Sequence, residues 1–182
     1  MIMKKALIIA ALALTAAACT PKGEYRIHGY VTEAELNGVQ IFLVPLHDQS
    51  PQMVDSVYIA DNKFEFKGHG KMRSEWMAEL RVDKMHRYGI EDLLVVTEPG
   101  DIYVTIGRKS SAYGTPQNDS LQVWKNLNDG PRKNSYGMRR IGQTEVADSL
   151  MRLYNRRSRE LALHLDGTTL GAWLQQMYPI KK

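Results

Sequence analysis

The spacing of the apolar residues changes once along this chain, at Gly114-Thr115-Pro116, and that change dictates a two-part architecture. From Glu24 to about Gly107 the apolar residues alternate in short runs separated by turn residues, the signature of half-buried strands. The runs predict seven strands, at 25–31, 38–43, 52–59, 63–66, 76–82, 93–98 and 102–106. Two turns stand out as hairpin signals, Asp61-Asn62 and Pro99-Gly100, the second suited to the centre of a type II turn. Strands at this spacing predict an antiparallel β-sandwich or a partly closed barrel. Ile27, Ile41, Leu43, Val57, Phe64, Phe66, Leu80, Val82, Val95, Val104 and Ile106 would face its core.

Beyond Pro116 the period becomes helical. Asn118 or Asp119 is placed to cap a helix carrying Leu121, Trp124 and Leu127, and Asp129-Gly130-Pro131 reads as its end. A second helix is expected from about Thr144 to Leu165. Its apolar stripe is Ala147, Leu150, Met151, Tyr154, Leu161 and Ala162, with Arg152, Arg156 and Arg159 on the opposite side. Asp148, one turn before Arg152, is spaced for an ion pair with it. Thr168 or Thr169 opens a last short helix through Leu170, Trp173 and Met177, and Pro179 closes it. The expected fold class is therefore mainly β with C-terminal α: a sandwich over 24–116 and two to three helices over 117–182 packed on it.

The first nineteen residues read as an address. Lys4 and Lys5 precede an apolar run from Ala6 to Ala18, and Cys19 follows. Thirteen residues are too few to cross about 30 Å of hydrocarbon as a helix, so the run reads as a signal peptide, residues 1–18, that is removed. Small residues directly before a cysteine resemble the bacterial lipoprotein box, in which that cysteine becomes the lipidated first residue. Cys19 is thus the candidate acylation site, carrying palmitate-type chains, and residues 19–23 a short leash. An ordinary cleaved signal with an adventitious cysteine is the alternative. The expected location is the cell envelope, lipid-anchored, in the outer membrane and facing the periplasm.

With 43% hydrophobic and 24% charged residues, the whole chain has the composition of a folded globular protein rather than a disordered tail. Charge is unevenly spread, −6 over residues 23–107 and +7 over 108–182. The basic half, with Arg152, Arg156 and Arg159 on one helix, suits an acidic partner, and the export signal argues against nucleic acid. A single cysteine excludes a disulfide framework, a cysteine-rich zinc site and thiol–disulfide catalysis. His28, His47, His69, His86 and His164 form no HExxH or other closely spaced pair. No GxSxG elbow and no phosphate-binding glycine loop occurs; Gly68-His69-Gly70 reads as a turn. No cofactor is expected.

Three carboxylate pairs, Glu33 with Glu35, Glu91 with Asp92 and Glu98 with Asp101, could flank a scissile bond only if folding built a cleft around them. The irregular stretch Lys84–Glu91, carrying His86 and Tyr88, is the natural place for contacts to a ligand. Trp76, Trp124, Trp173 and the nine tyrosines could stack on sugars or a peptide, although the tryptophans sit at core spacing.

Several segments together carry a resemblance: 25–29 (Tyr-Arg-Ile-His-Gly), 38–43, Asp55-Ser56, 63–68, Glu98-Pro99-Gly100-Asp101-Ile102 and Gly114-Thr115-Pro116-Gln117-Asn118-Asp119. They resemble an uncharacterised DUF-type domain of Bacteroidota envelope lipoproteins, over about residues 24–128. In that family the domain often precedes a thioredoxin-like or peroxiredoxin-like domain, whose CxxC motif is not present in this chain. The resemblance implies a fold and a compartment and supplies no catalytic residues. The resulting expectation is a non-catalytic lipoprotein acting as a binding or interaction module, accessory to a thioredoxin-like partner. Peptide or glycan capture, with His86 and Tyr88 in contact, is one alternative. A hydrolase built from dispersed carboxylates and histidines is the other.

Overall fold

The computed structural model describes residues 23–68, 75–83 and 89–179. Two four-stranded sheets pack face to face. The first has the order β4-β1-β7-β8, built from β1 (Tyr25–Val31), β4 (Lys63–Lys67), β7 (Gly100–Ile106) and β8 (Ser111–Tyr113). The second, in the order β3-β2-β5-β6, contains β2 (Gln40–Pro45), β3 (Asp55–Tyr58), β5 (Met77–Val82) and β6 (Leu93–Val96). Every neighbouring pair is antiparallel except β1 and β7, which run parallel from Tyr25↔Gly100 to Val31↔Ile106.

Alternation explains the sandwich residue by residue. In β1, Tyr25, Ile27, Gly29 and Val31 point inward while Arg26, His28 and Tyr30 point out, because successive side chains leave opposite faces of a strand. All the core positions expected from the sequence meet between the sheets, with Val57 half-buried at the margin. Gly29 is required there: across the pair it faces Phe64, and a Cβ would lie 2.0 Å from that ring.

The strand plan needs four corrections. An eighth strand, β8, was not expected, and the run 52–59 contracts to Asp55–Tyr58. Asp61 and Asn62 do make a two-residue reversal, with φ of 51° and 59°, closed by reciprocal 2.9 Å bonds between Ala60 and Lys63. Its flanking strands, however, diverge into different sheets. Asn37 clamps it, its amide bonding both Asn62 N and Asn62 Oδ1 at 2.8 Å. Pro99-Gly100 is likewise a crossing between sheets rather than a hairpin, with Gly100 (φ 128°) already the first residue of β7.

Three helices follow, α1 (Pro116–Arg140), α2 (Thr144–His164) and α3 (Thr169–Met177). They cover the outer face of the second sheet, where Met77 and Val96 pack with Leu121, Ala162, Leu170 and Leu174. α1 does not stop at Asp129-Gly130-Pro131; it runs through Pro131. An interior proline forfeits a backbone bond and costs about 3 kcal/mol in a free helix. Packing against α2 offsets that, with Asn128 and Ser135 buried on either side of the break. Asp148 also departs from expectation. It pairs with Arg139 at 2.5 Å, joining the ends of α1 and α2, while Arg152 donates to Ser149 Oγ at 2.8 Å. Thr168 caps α3 as expected, its Oγ1 accepting from Gly171 N at 3.0 Å. No described helix is long and apolar enough to cross a membrane.

Two phenols, Tyr25 buried in the sandwich and Tyr178 half-buried against the helices, tie this packing to pH. Burial, and secondarily the charge of Asp55, raises the Tyr25 pKa. Burial, followed by the hydrogen bond with Tyr154, raises that of Tyr178. Neutral phenols are therefore favoured by the fold. Their contribution is complete below the ordinary tyrosine value of about 10 and is lost as pH rises beyond it. In an alkaline titration followed by tyrosinate absorbance, these two side chains are expected to ionise only as the chain unfolds. Smooth ionisation of all tyrosines with the fold intact would contradict this.

Candidate functional site

Cys19, His86 and Tyr88 lie outside the described residues. Arg152, Arg156 and Arg159 are brought together: one and two turns apart on α2, they line a shallow cleft with Ser149, Leu153 and Asn155, opposite the buried Ala147, Tyr154, Ser158 and Ala162. Arg156 has Glu160 at 4.0 Å and both are well exposed, so this is a solvated cationic face contributing little to stability.

The carboxylate pairs are mostly engaged elsewhere. Glu91 bonds Lys125 at 3.1 Å and approaches Lys133 at 3.7 Å. Glu33 accepts from Thr32 Oγ1 at 3.2 Å beside the single-turn 3-10 helix Ala34–Leu36. Asp101 Oδ1 holds His28 Nε2 at 2.9 Å. Glu98 is buried and accepts from Gln117 N at 2.6 Å and Asn118 N at 3.1 Å. Thr115, at the N-cap of α1, makes no side-chain cap, so the orphan N–H groups of the first turn are met by this carboxylate from the β6–β7 connection.

Around Glu98 stands a closed polar network that joins sandwich to helices. The Gln117 amide donates to Glu75 at 2.7 Å, and its oxygen accepts from Leu170 N in α3 at 2.9 Å. Asn118 is fully buried. Its amide accepts from Val96 N at 2.9 Å and donates to Val96 O at 2.8 Å, as a neighbouring strand would. β6 is an edge strand, so Asn118 closes part of that edge. Asn118 was expected as a helix cap; it is instead a bracket between layers.

The open surface lies on the other side of the molecule. Along the outer face of the first sheet, register aligns Glu65, His28, Tyr103 and Tyr113 in one row across β4, β1, β7 and β8. The next row contains Lys63, Tyr30, Thr105 and Ser111. Tyr103 is 57% exposed, and Tyr30 and Tyr113 are exposed at 47% each. His28 stacks on Tyr103 with ring centroids 5.2 Å apart and planes 18° from parallel, while Asp101 fixes its Nε2. Gly114 lets the Tyr103 ring lie close, since a Cβ there would come within 2.9 Å of it. This face was missed by reasoning that looked for loops. The signal was present in the outward phase of β1 and β7, which carries His28, Tyr30 and Tyr103 where a merely solvated strand would carry lysine and glutamate.

A family model described as "Domain of unknown function (DUF4369)" matches residues 25–121, just over half of the chain. The chain belongs to this family. No curated protein and no solved structure matches it. The DUF4369 segment runs from the first residue of β1 to the first turns of α1. It thus contains both sheets, the open aromatic face and the Glu98–Asn118 bracket. The motif residues Glu98 and Gly114-Thr115-Pro116-Gln117-Asn118 that carried the resemblance are those that fasten helix to sandwich. Among the described residues, no group of three histidine, cysteine, aspartate or glutamate side chains converges as a metal ion would need.

Proposed function

We propose that this protein is a non-catalytic lipoprotein of the cell envelope, anchored through Cys19, whose folded body is a protein-interaction module. The observation that carries the reading is the open face of the first sheet. Tyr30, Tyr103 and Tyr113, with Arg26 and His28 beside them, put aromatic and arginine side chains on a surface that, among the described residues, no helix covers. Such residues are over-represented in protein interfaces and among the positions that dominate binding energy. The engagement of Glu91, Glu98 and Asp101 in structural bonds supports a binding role over hydrolysis. A thioredoxin-like envelope protein is the partner class the resemblance implies.

Crosslinking in intact cells, followed by mass spectrometry of the purified protein and its neighbours, tests this reading. Acylated Cys19 and one reproducible protein neighbour are expected. Replacing Tyr103 and Tyr113 together by alanine should weaken recovery of that neighbour by about 30-fold or more, the loss of an interface hot spot of about 2 kcal/mol. Undiminished recovery by the double variant would move the contact to another face. An unmodified Cys19 would remove the anchor, and a glycan recovered in place of a protein would change the partner class.

A further inference from the structure

A cavity of about 250 Å³ opens between the second sheet and the helices, on the opposite side of the molecule from the aromatic face. Its walls are apolar: Leu94 on the sheet, Leu121 and Trp124 on α1, and Tyr154 on α2. Three carboxylates line it, Glu79 and Asp92 from the sheet side and Asp129 from α1. Glu79 is shared with Arg81. Of the two cations in the lining, Lys125 is already taken by Glu91 at 3.1 Å and by the Ser110 carbonyl at 2.5 Å, which leaves Arg132 at the outer end of the α1 wall. Asn128 is part of the same lining, only 5% exposed, and its Oδ1 has no hydrogen-bond partner among the described residues. A buried amide oxygen without a donor is costly, and one lining a ligand-sized space is a place where a donor would be stabilised.

We infer that this cavity binds a protonated amine carried on a small apolar or aromatic body, a ligand the size of one large amino-acid side chain. The chemistry follows from the walls. The apolar body is removed from water against Leu94 and Leu121. Asp92 and Asp129 attract the ammonium group, and Trp124 and Tyr154 are ring types that favour a cation near their faces. Asn128 offers an acceptor for an ammonium N–H. An anion of the same shape meets Asp92 and Asp129 from two walls against the single Arg132 guanidinium, and is disfavoured. The inference does not depend on the anchor or on the protein partner.

The test uses the purified protein and two probes that share one ring and differ in charge, phenethylamine and 3-phenylpropionate. Titration followed by NMR should show shifts concentrated at the Leu94 and Leu121 methyls and the Trp124 indole. A ligand of this size is expected to bind with a Kd on the order of 1 mM. Phenylpropionate should bind at least about tenfold more weakly, and Asp92→Asn should cost the amine about fivefold, both within the range of a single charge contact. Asp92 is exposed, so that variant is expected to fold, and an unchanged thermal unfolding curve verifies it. Equal binding of the two probes, or amine binding that Asp92→Asn leaves untouched, would overturn the assignment of charge. The absence of shifts at the cavity with either probe would overturn the site.

Discussion

Replacing Asn118 by leucine is expected to cost about 4 kcal/mol of stability, because it strands two backbone groups that water cannot reach. The Asn118 amide is the partner of both Val96 N and Val96 O, and it also donates to Thr115 Oγ1 at 2.8 Å. Leucine fills similar space and supplies neither bond, so the N–H and the carbonyl of an edge strand would each be buried unmet at about 1–3 kcal/mol apiece. Urea unfolding measures the effect as a lower midpoint at unchanged slope. Ser120→Ala, two residues along the same helix and losing only a bond to its own Pro116 carbonyl, should stay within about 0.5 kcal/mol. A loss below about 1 kcal/mol for Asn118→Leu would mean that the bracket does not hold helix and sheet together.

Gly29→Ala is expected to cost about 3 kcal/mol through a clash in the middle of the first sheet. The new methyl would meet three atoms of the Phe64 ring at 2.0–2.2 Å, so that ring must leave its place beside Phe66. Phe64 lies over the glycine as an aromatic ring covers a gap in a sheet, and the pair acts as a unit. Combining Gly29→Ala with Phe64→Leu should therefore cost clearly less than the sum of the two single changes, a coupling visible in a double-mutant cycle. Strict additivity would place the strain elsewhere.

These two positions show what could be read from the sequence and what could not. Strands announced themselves because a half-buried strand must alternate, and the inward set from Ile27 to Ile106 was visible as a pattern. β8 was not, since three residues with only Ala112 buried hold too little periodicity to register. The turns at 61–62 and 99–100 were recognisable as turns, but a reversal looks the same in sequence whether the chain returns to its own sheet or crosses to the facing one. Asp129-Gly130-Pro131 carries the local signal of a helix end, and only the α2 surface, invisible to any local rule, overrides it in α1. Asn118 was legible as a residue that begins helices; that it bonds a strand edge depends on Val96, 22 residues earlier, which no local rule connects to it. The aromatic face is spread over β1, β7 and β8 and exists as a surface only once their register is fixed.

The parallel pairing of β1 with β7 also governs how the chain reaches this fold. β1 is the first of the described strands to be made and occupies the interior of its sheet, yet its neighbour β7 comes about 75 residues later. Until β7 is present, β1 has only β4 beside it, and one side of its backbone has no strand to pair with. Closing so long a loop is an entropic cost met before its contacts form, so the sheet is expected to assemble late and as a unit rather than strand by strand. During that interval the emerging chain exposes a half-paired strand rich in β-branched and aromatic residues, the kind of edge that recruits other chains. Truncations ending before Gly100 should consequently aggregate rather than fold as smaller domains, and the shortest foldable form of this protein is set by β7, not by the number of strands already made.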